Sequence, residues 1–80
     1  MENFSLLETV IAKTNLPAEQ ILAGDLGTIV EVYTSPSLAF EVEFVNPDGT
    51  TRALLALTSD QIRRPTESDV ITTRQLSMAA

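Results

Sequence analysis

Glu41 and Glu43 are the two side chains in this sequence whose spacing most suggests chemistry. Two positions apart on a β-strand, they would project from the same face, where carboxylates can share acid–base work or hold Ca²⁺. Residues 40–44 alternate strictly between apolar and acidic side chains, which is typical of an antiparallel strand with one buried and one wet face. The wet face is the favoured interpretation, and a carboxylate enzyme remains an alternative.

The amino-acid composition excludes most other kinds of catalytic or metal-binding site. The chain has no histidine and no cysteine, so it lacks the usual general base, the usual thiol nucleophile and most transition-metal ligands. Asp25 lies between Gly24 and Gly27, a pattern that suits an anion-binding nest or a plain turn. The plain turn is favoured, because no helix and no basic residue follows. We therefore predict a protein that is not an enzyme and has no cofactor and no metal.

Charge and chain length limit the partners. Eleven acidic and five basic residues give 80 residues a net charge of −6, which repels phosphate backbones and anionic lipids. No basic, apolar leader begins the chain, and no apolar run approaches the ~20 residues that a membrane span needs. Together with the absence of cysteine, this predicts a cytoplasmic protein without a membrane partner.

The strongest β-forming segment follows the Gly24–Gly27 turn. Residues 26–33 are rich in β-branched and aromatic side chains. Strict alternation predicts two faces: Leu26, Thr28, Val30 and Val32 on one, and Gly27, Ile29, Glu31 and Tyr33 on the other. We expect Gly27 to let the strand bend or another backbone approach closely.

Four further segments read as strands, at residues 8–13, 38–45, 50–57 and 62–64. A Pro-Asp-Gly turn at 46–49 makes a hairpin of the middle pair, and Arg52 is expected opposite Glu41 or Glu43. A capped single turn is predicted at 58–61, and one helical turn at 18–22, where Leu16, Ile21 and Leu22 would cap the barrel. The fold class is therefore all-β: a small SH3-like five-stranded barrel over residues 1–65, with one short helical turn. Phe4 and Leu7 are expected to pack against it, and residues 66–80 form a flexible or partner-ordered tail. An open meander that dimerises is the alternative.

These segments resemble a family of small bacterial proteins, common in cyanobacteria, known as the domain of unknown function 4926 family. The likeness covers about residues 6–65 and is carried by residues 7–10, 16–17, 24–32, 40–45, 48–49 and 57–63. It implies an SH3-like fold and a small stand-alone protein that is encoded beside a partner. No catalytic residues are established for this family, so none are carried over.

The acidic surface is the remaining feature of the sequence that suggests a function. We expect Glu31, Glu41, Glu43 and Asp25, with Tyr33 as the one exposed aromatic, to dock on the basic surface of a partner protein. A protein that neutralises a basic toxin and a docking subunit of an assembly both fit. A single exposed aromatic argues against a polyproline groove and against base stacking.

The sequence also allows binding to RNA and self-association. An RNA- or ribosome-associated module would use Lys13, Arg52, Arg63 and Arg64 as one basic patch, although the net charge disfavours nucleic acid. Self-association would use an apolar patch formed by exposed Ile29, Tyr33 or Leu54.

Overall fold

The computed structural model describes residues 3–69, so most of the predicted tail lies outside the described residues. Five strands run in chain order: β1 (Thr9–Ala12), β2 (Leu26–Tyr33), β3 (Ala39–Val45), β4 (Thr51–Leu57) and β5 (Ile62–Arg63). Short 3₁₀ turns at Pro17–Glu19 and Ser59–Gln61 precede β2 and β5.

The strands form one antiparallel sheet in the order β4-β3-β2-β1-β5, curled into a half-barrel. The prediction of a small all-β fold with five strands is confirmed. Over residues 3–69 the only helical segments are the two 3₁₀ turns. No helix in that part of the chain is long and apolar enough to cross a membrane.

The core lies on the concave face of the sheet, as the alternation in β3 predicts. Phe40, Val42 and Phe44 are fully buried there. Phe4 closes the core from the N-terminal segment, with its ring edge-on to Phe40 at a centroid distance of 5.4 Å. The other buried side chains of the cluster are Val10, Ala12, Ile21, Ile29, Ala53, Leu57 and Ile62.

The predicted alternation of β2 holds as far as Ile29 and is wrong beyond it, because the strand contains a bulge. Ile29 pairs with Val42, but the next pair is Glu31 with Glu41, which leaves Val30 as an extra residue. A bulge shifts the alternation by one position. Gly27 and Ile29 therefore face the core before the bulge, and Val32 packs against it afterwards. Ile29 is fully buried and does not form part of an exposed patch.

Gly27 is required by side chains rather than by a neighbouring backbone. A Cβ atom built on it would lie 2.6 Å from Cγ1 of Val42 and 3.0 Å from Cε1 of Phe44. Contacts under 3 Å are well inside van der Waals distance, so no other residue fits here without movement of the core. The missing side chain lets β3 pack its phenylalanine directly beneath β2.

The connecting segments follow the sequence in part. The turn at 58–61 has the predicted cap, with Thr58 and Gln61 forming a reciprocal capping box. Ile21 is buried as predicted, whereas Leu22 is 46% exposed and does not cap the barrel. Leu7 is also exposed, although its backbone N–H donates to the Ile29 carbonyl at 2.6 Å. Residues 67–69 form a turn after β5.

Candidate functional site

Three carboxylates lie on the convex, solvent-facing side of the half-barrel. Glu31 projects from β2, and Glu41 and Glu43 project from β3, opposite in direction to the buried phenylalanines. The bulge in β2 places Glu31 directly opposite Glu41 in the ladder. Like charges in such a pair destabilise a sheet, so the face has an electrostatic cost. We call Glu31, Tyr33, Glu41 and Glu43 the acidic face.

Tyr33 lies at one end of the acidic face. Its hydroxyl donates to Oε1 of Glu41 at 3.1 Å, and its side chain is 40% exposed. This hydrogen bond, reinforced by partial desolvation and by the charges of Glu41 and Glu31, raises the pKa of the Tyr33 phenol above its ordinary value. A phenolate beside two carboxylates would add a third negative charge, which is why the neutral phenol is favoured.

Small and apolar side chains of β4 border the acidic face. Leu54 lies opposite Glu43 and is 52% exposed, and Ala56 lies opposite Glu41. Thr51 donates its hydroxyl to Oε2 of Glu43 at 2.7 Å. Glu41 and Glu43 therefore hydrogen-bond to different donors on different strands.

Asp25 does not belong to the acidic face. It is only 6% exposed, and its Oδ2 accepts the Leu22 backbone N–H at 2.9 Å and an Arg52 guanidinium N–H at 3.1 Å. The expectation that Asp25 faces a partner is therefore wrong, because this carboxylate forms a buried ion pair within the chain. The turn prediction around it holds: the Asp25 N–H donates to the Leu22 carbonyl.

Arg52 is also not where the sequence predicts it. A second bulge, in the β3–β4 ladder, leaves it as an extra residue between the pairs Phe44–Ala53 and Val45–Thr51. The bulge turns its side chain away from Glu41 and Glu43 and towards Asp25, across the full width of β3. Its Nε donates to Oδ1 of Asn46 at 3.2 Å, which ties the hairpin turn into the same network.

Arg63 and Arg64 also bind acidic groups of the chain. Arg63 binds Asp69 through two hydrogen bonds of 3.0 and 2.9 Å, and Arg64 binds Glu8 while its guanidinium lies 4.6 Å from the centre of the Phe4 ring. Lys13 is exposed, and its charge acts on Asp60. The four residues of the predicted basic patch thus have different partners.

The acidic face is the exposed group of sequence-predicted residues that the fold brings together. Between residues 3 and 69, no three acidic side chains converge in a way that would hold a metal ion. The ion pairs found in that range go to Asp25, Asp69 and Glu8, and none reaches the acidic face. Sequence reasoning placed Glu31, Tyr33, Glu41 and Glu43 correctly on the outside but missed the Asp25–Arg52 pair, whose residues are 27 positions apart.

Comparison with known proteins gives one match. Residues 6–64 match the family described as Domain of unknown function (DUF4926). No curated protein matches the chain significantly. No solved structure does either.

Proposed function

This chain belongs to the DUF4926 family, and we propose that it is a non-enzymatic binding module whose acidic face docks on the basic surface of another protein. The absence of cysteine fits a reducing bacterial cytoplasm, where we place that partner. A protein that neutralises a basic toxin and a docking subunit of a larger assembly are the two forms of this function. The identity of the partner decides between them.

The observation that carries the proposal is the pairing of Glu31 opposite Glu41, two like charges that none of the ion pairs found within residues 3–69 reaches. The chain directs its described arginines to other carboxylates and leaves two like charges opposed on the solvent face. A basic partner would neutralise both and relieve the repulsion, so part of the cost in the free protein becomes binding free energy. The field of the net charge would also accelerate the encounter.

Tyr33 and Leu54 supply the second property of a docking surface. Both are large, both are exposed, and they lie at the end and along the border of the acidic face. Protein interfaces combine a few such anchors with a polar rim, and tyrosine is enriched among the anchors. The face can therefore bury apolar area as well as charge.

The RNA-binding alternative has less support in this fold. It needs Arg52, Arg63 and Arg64 to meet phosphates together, whereas the Arg52 side chain is 6% exposed and all three bind carboxylates of the same chain. Binding phosphates through these arginines would break their intramolecular ion pairs. The net charge of −6 would also oppose the approach of RNA.

A matched pair of charge variants tests the proposal. E31Q/E43Q removes two charges from the acidic face and keeps the Tyr33–Glu41 hydrogen bond. E19Q/E67Q removes two exposed charges from the 3₁₀ turn before β2 and from the turn after β5. Wild-type protein, both variants and a no-bait control are used for capture from host lysate at low and high salt, and captured proteins are identified by mass spectrometry.

We expect a partner that wild type and E19Q/E67Q retain at low salt and that E31Q/E43Q loses. With purified partner, E31Q/E43Q should weaken Kd by roughly tenfold, since two exposed charge pairs contribute up to about 1 kcal/mol each. Tyr33 fluorescence can follow that titration with any partner that has neither tryptophan nor tyrosine. Equal retention of both variants, or no partner at either salt concentration, would contradict the proposal. Salt-sensitive RNA retention that R63E/R64E abolishes would favour the alternative.

A further inference from the structure

The free edge of β4 is the longest unpaired strand edge among residues 3–69. β4 pairs with β3 on one side only, and the other sheet edge, β5, has two residues against seven in β4. Unpaired strand edges present a row of backbone donors and acceptors, and proteins commonly shield them with charged side chains. β4 has one charged residue, Arg52, and its side chain turns inward to Asp25. The remaining edge is uncharged.

We propose that β4 pairs antiparallel with β4 of a second copy of this chain, joining two half-barrels into one ten-stranded sheet. A strand that pairs antiparallel with itself forms a twofold interface, in which both copies present the same surface and the assembly closes at two. No edge of β4 remains exposed in such a dimer. This inference rests on the edge of β4 and not on the acidic face, although the dimer would cover Leu54, which the docking surface proposed above also uses.

Pairing centred on Leu55 uses the regular part of β4, residues 53–57, which lies beyond the bulge at Arg52. When Leu55 lies on the twofold axis, Ala53 faces Leu57 of the second copy, and Leu54 faces Ala56. In both of these pairs a leucine lies opposite an alanine, one pair on each face of the sheet. Leu55 is the exception, because it lies opposite Leu55 of the second copy. Facing positions that alternate large and small fill space without overlap. Leu54 and Ala56, both exposed in the free chain, would become covered.

The charge of the acidic face does not oppose this dimer strongly. Glu41 and Glu43 lie on β3, one strand in from the edge. In the joined sheet Glu41 and Glu43 of one copy lie three strand spacings, about 14 Å, from those of the second copy, whereas the Debye length at physiological ionic strength is about 8 Å. Their repulsion is therefore screened, and moderate salt should favour the dimer.

Sedimentation velocity of the full chain from micromolar to millimolar concentration tests the dimer. Wild type should shift from monomer to dimer and stop there. L54K should raise the dissociation constant by about tenfold or more, because an edge lysine is a natural block to strand pairing. L22K is the matched control, since Leu22 has similar exposure on a loop outside the sheet, and it should leave the dissociation constant unchanged.

Two further measurements test the dimer without relying on the L54K variant. Amide hydrogen exchange of the wild type should slow within β4 as concentration rises. Because the chain has no cysteine, mixed L54C and A56C proteins report the register, and they should form a disulfide with each other faster than either does with itself. A wild type that stays monomeric to millimolar concentration, or a dimer that L54K and L22K affect equally, overturns the proposal. Faster L54C–L54C coupling would overturn the register.

Discussion

Tyr33 reports on the acidic face, because it is the only tyrosine and the chain has no tryptophan. Its pKa is raised chiefly by the hydrogen bond to Glu41. E41Q removes the charge of the acceptor, so we expect the Tyr33 pKa to fall towards the ordinary value of about 10. Ultraviolet absorbance of the phenolate, followed through an alkaline titration, measures both values without interference from other side chains.

E19Q is the control for this titration, since it removes a charge outside the acidic face, from the 3₁₀ turn before β2. It should leave the Tyr33 titration close to that of wild type. The raised pKa also has a consequence for stability: the contribution of the Tyr33 phenol is complete below its unfolded pKa and is lost as pH rises through the folded one. Identical titrations of wild type and E41Q would mean that the Tyr33–Glu41 bond does not persist in solution.

Gly27 is the residue at which the smallest substitution should have a large effect. In G27A the new methyl group would meet Cγ1 of Val42 at 2.6 Å, and that side chain is fully buried. Overpacking a core by one methyl group costs about 1–3 kcal/mol of unfolding free energy. Urea denaturation followed by circular dichroism measures this cost.

A double-mutant cycle separates the clash at Gly27 from a general backbone effect. V42A removes the clashing Cγ1 atom and leaves a cavity, so alone it is also destabilising. In G27A/V42A the added methyl group occupies part of that cavity, and we expect the double variant to lose less stability than the sum of the single losses. Strict additivity would indicate that G27A acts through backbone conformation instead.

Two bulges organise the sheet at the scale of its elements, and one of them builds the Asp25–Arg52 pair. Both side chains are about 95% buried, and the pair connects the turn before β2 to β4 across β3. R52M leaves the Asp25 charge buried without this partner, which costs about 3–5 kcal/mol in comparable sites. Chemical denaturation should show a loss of that size, a large share of the stability of so small a domain.

The variant D25N/R52M tests whether that loss comes from the buried Asp25 charge that has lost the Arg52 guanidinium. The amide introduced by D25N would retain an acceptor oxygen for the Leu22 N–H, and neither position would carry a charge. We expect D25N/R52M to be more stable than R52M, because a neutral buried pair has no desolvated charge to compensate. A double variant as unstable as the sum of D25N and R52M would show that the two residues contribute independently.

The same bulges explain how far the sequence predicts this fold. Alternation of apolar and polar residues predicts the two faces of β3 correctly along the whole strand. This is because the extra residue of each bulge lies in the neighbouring strand, β2 or β4, and not in β3. The alternation rule fails in β2 from Val30 onwards and in β4 at Arg52. A bulge adds one residue and so reverses the direction of the side chains, and the amino-acid composition does not reveal it. The acidic face is predictable from β3, whereas the buried ion pair depends on a tertiary approach that no local pattern encodes.

At the scale of the described molecule, hydrogen bonds to carboxylates stabilise several turns and the segments that flank the sheet. Four of these groups have pKa values below their usual range: Glu8, Asp48, Asp60 and Asp69. The largest cause is a hydrogen bond in each case, from the Ser5 backbone amide to Glu8, from the hydroxyls of Thr50 and Thr58 to Asp48 and Asp60, and from the Arg63 guanidinium to Asp69. They are spread over residues 8–69, so their titration acts on the described fold as a whole.

Acid should therefore destabilise the protein. A carboxylate whose pKa is lowered by folding contributes stability that is complete above its unfolded pKa, about 4, and that is lost as pH falls through the folded value. We expect the urea midpoint to be constant above about pH 5 and to decline steadily below about pH 4. D69N should lower the midpoint at neutral pH and flatten part of that decline, because the carboxylate whose protonation weakens the two Arg63 hydrogen bonds is then absent. A midpoint that holds or rises on acidification would contradict this, since it would mean that relief of the repulsion on the acidic face outweighs the loss of these hydrogen bonds.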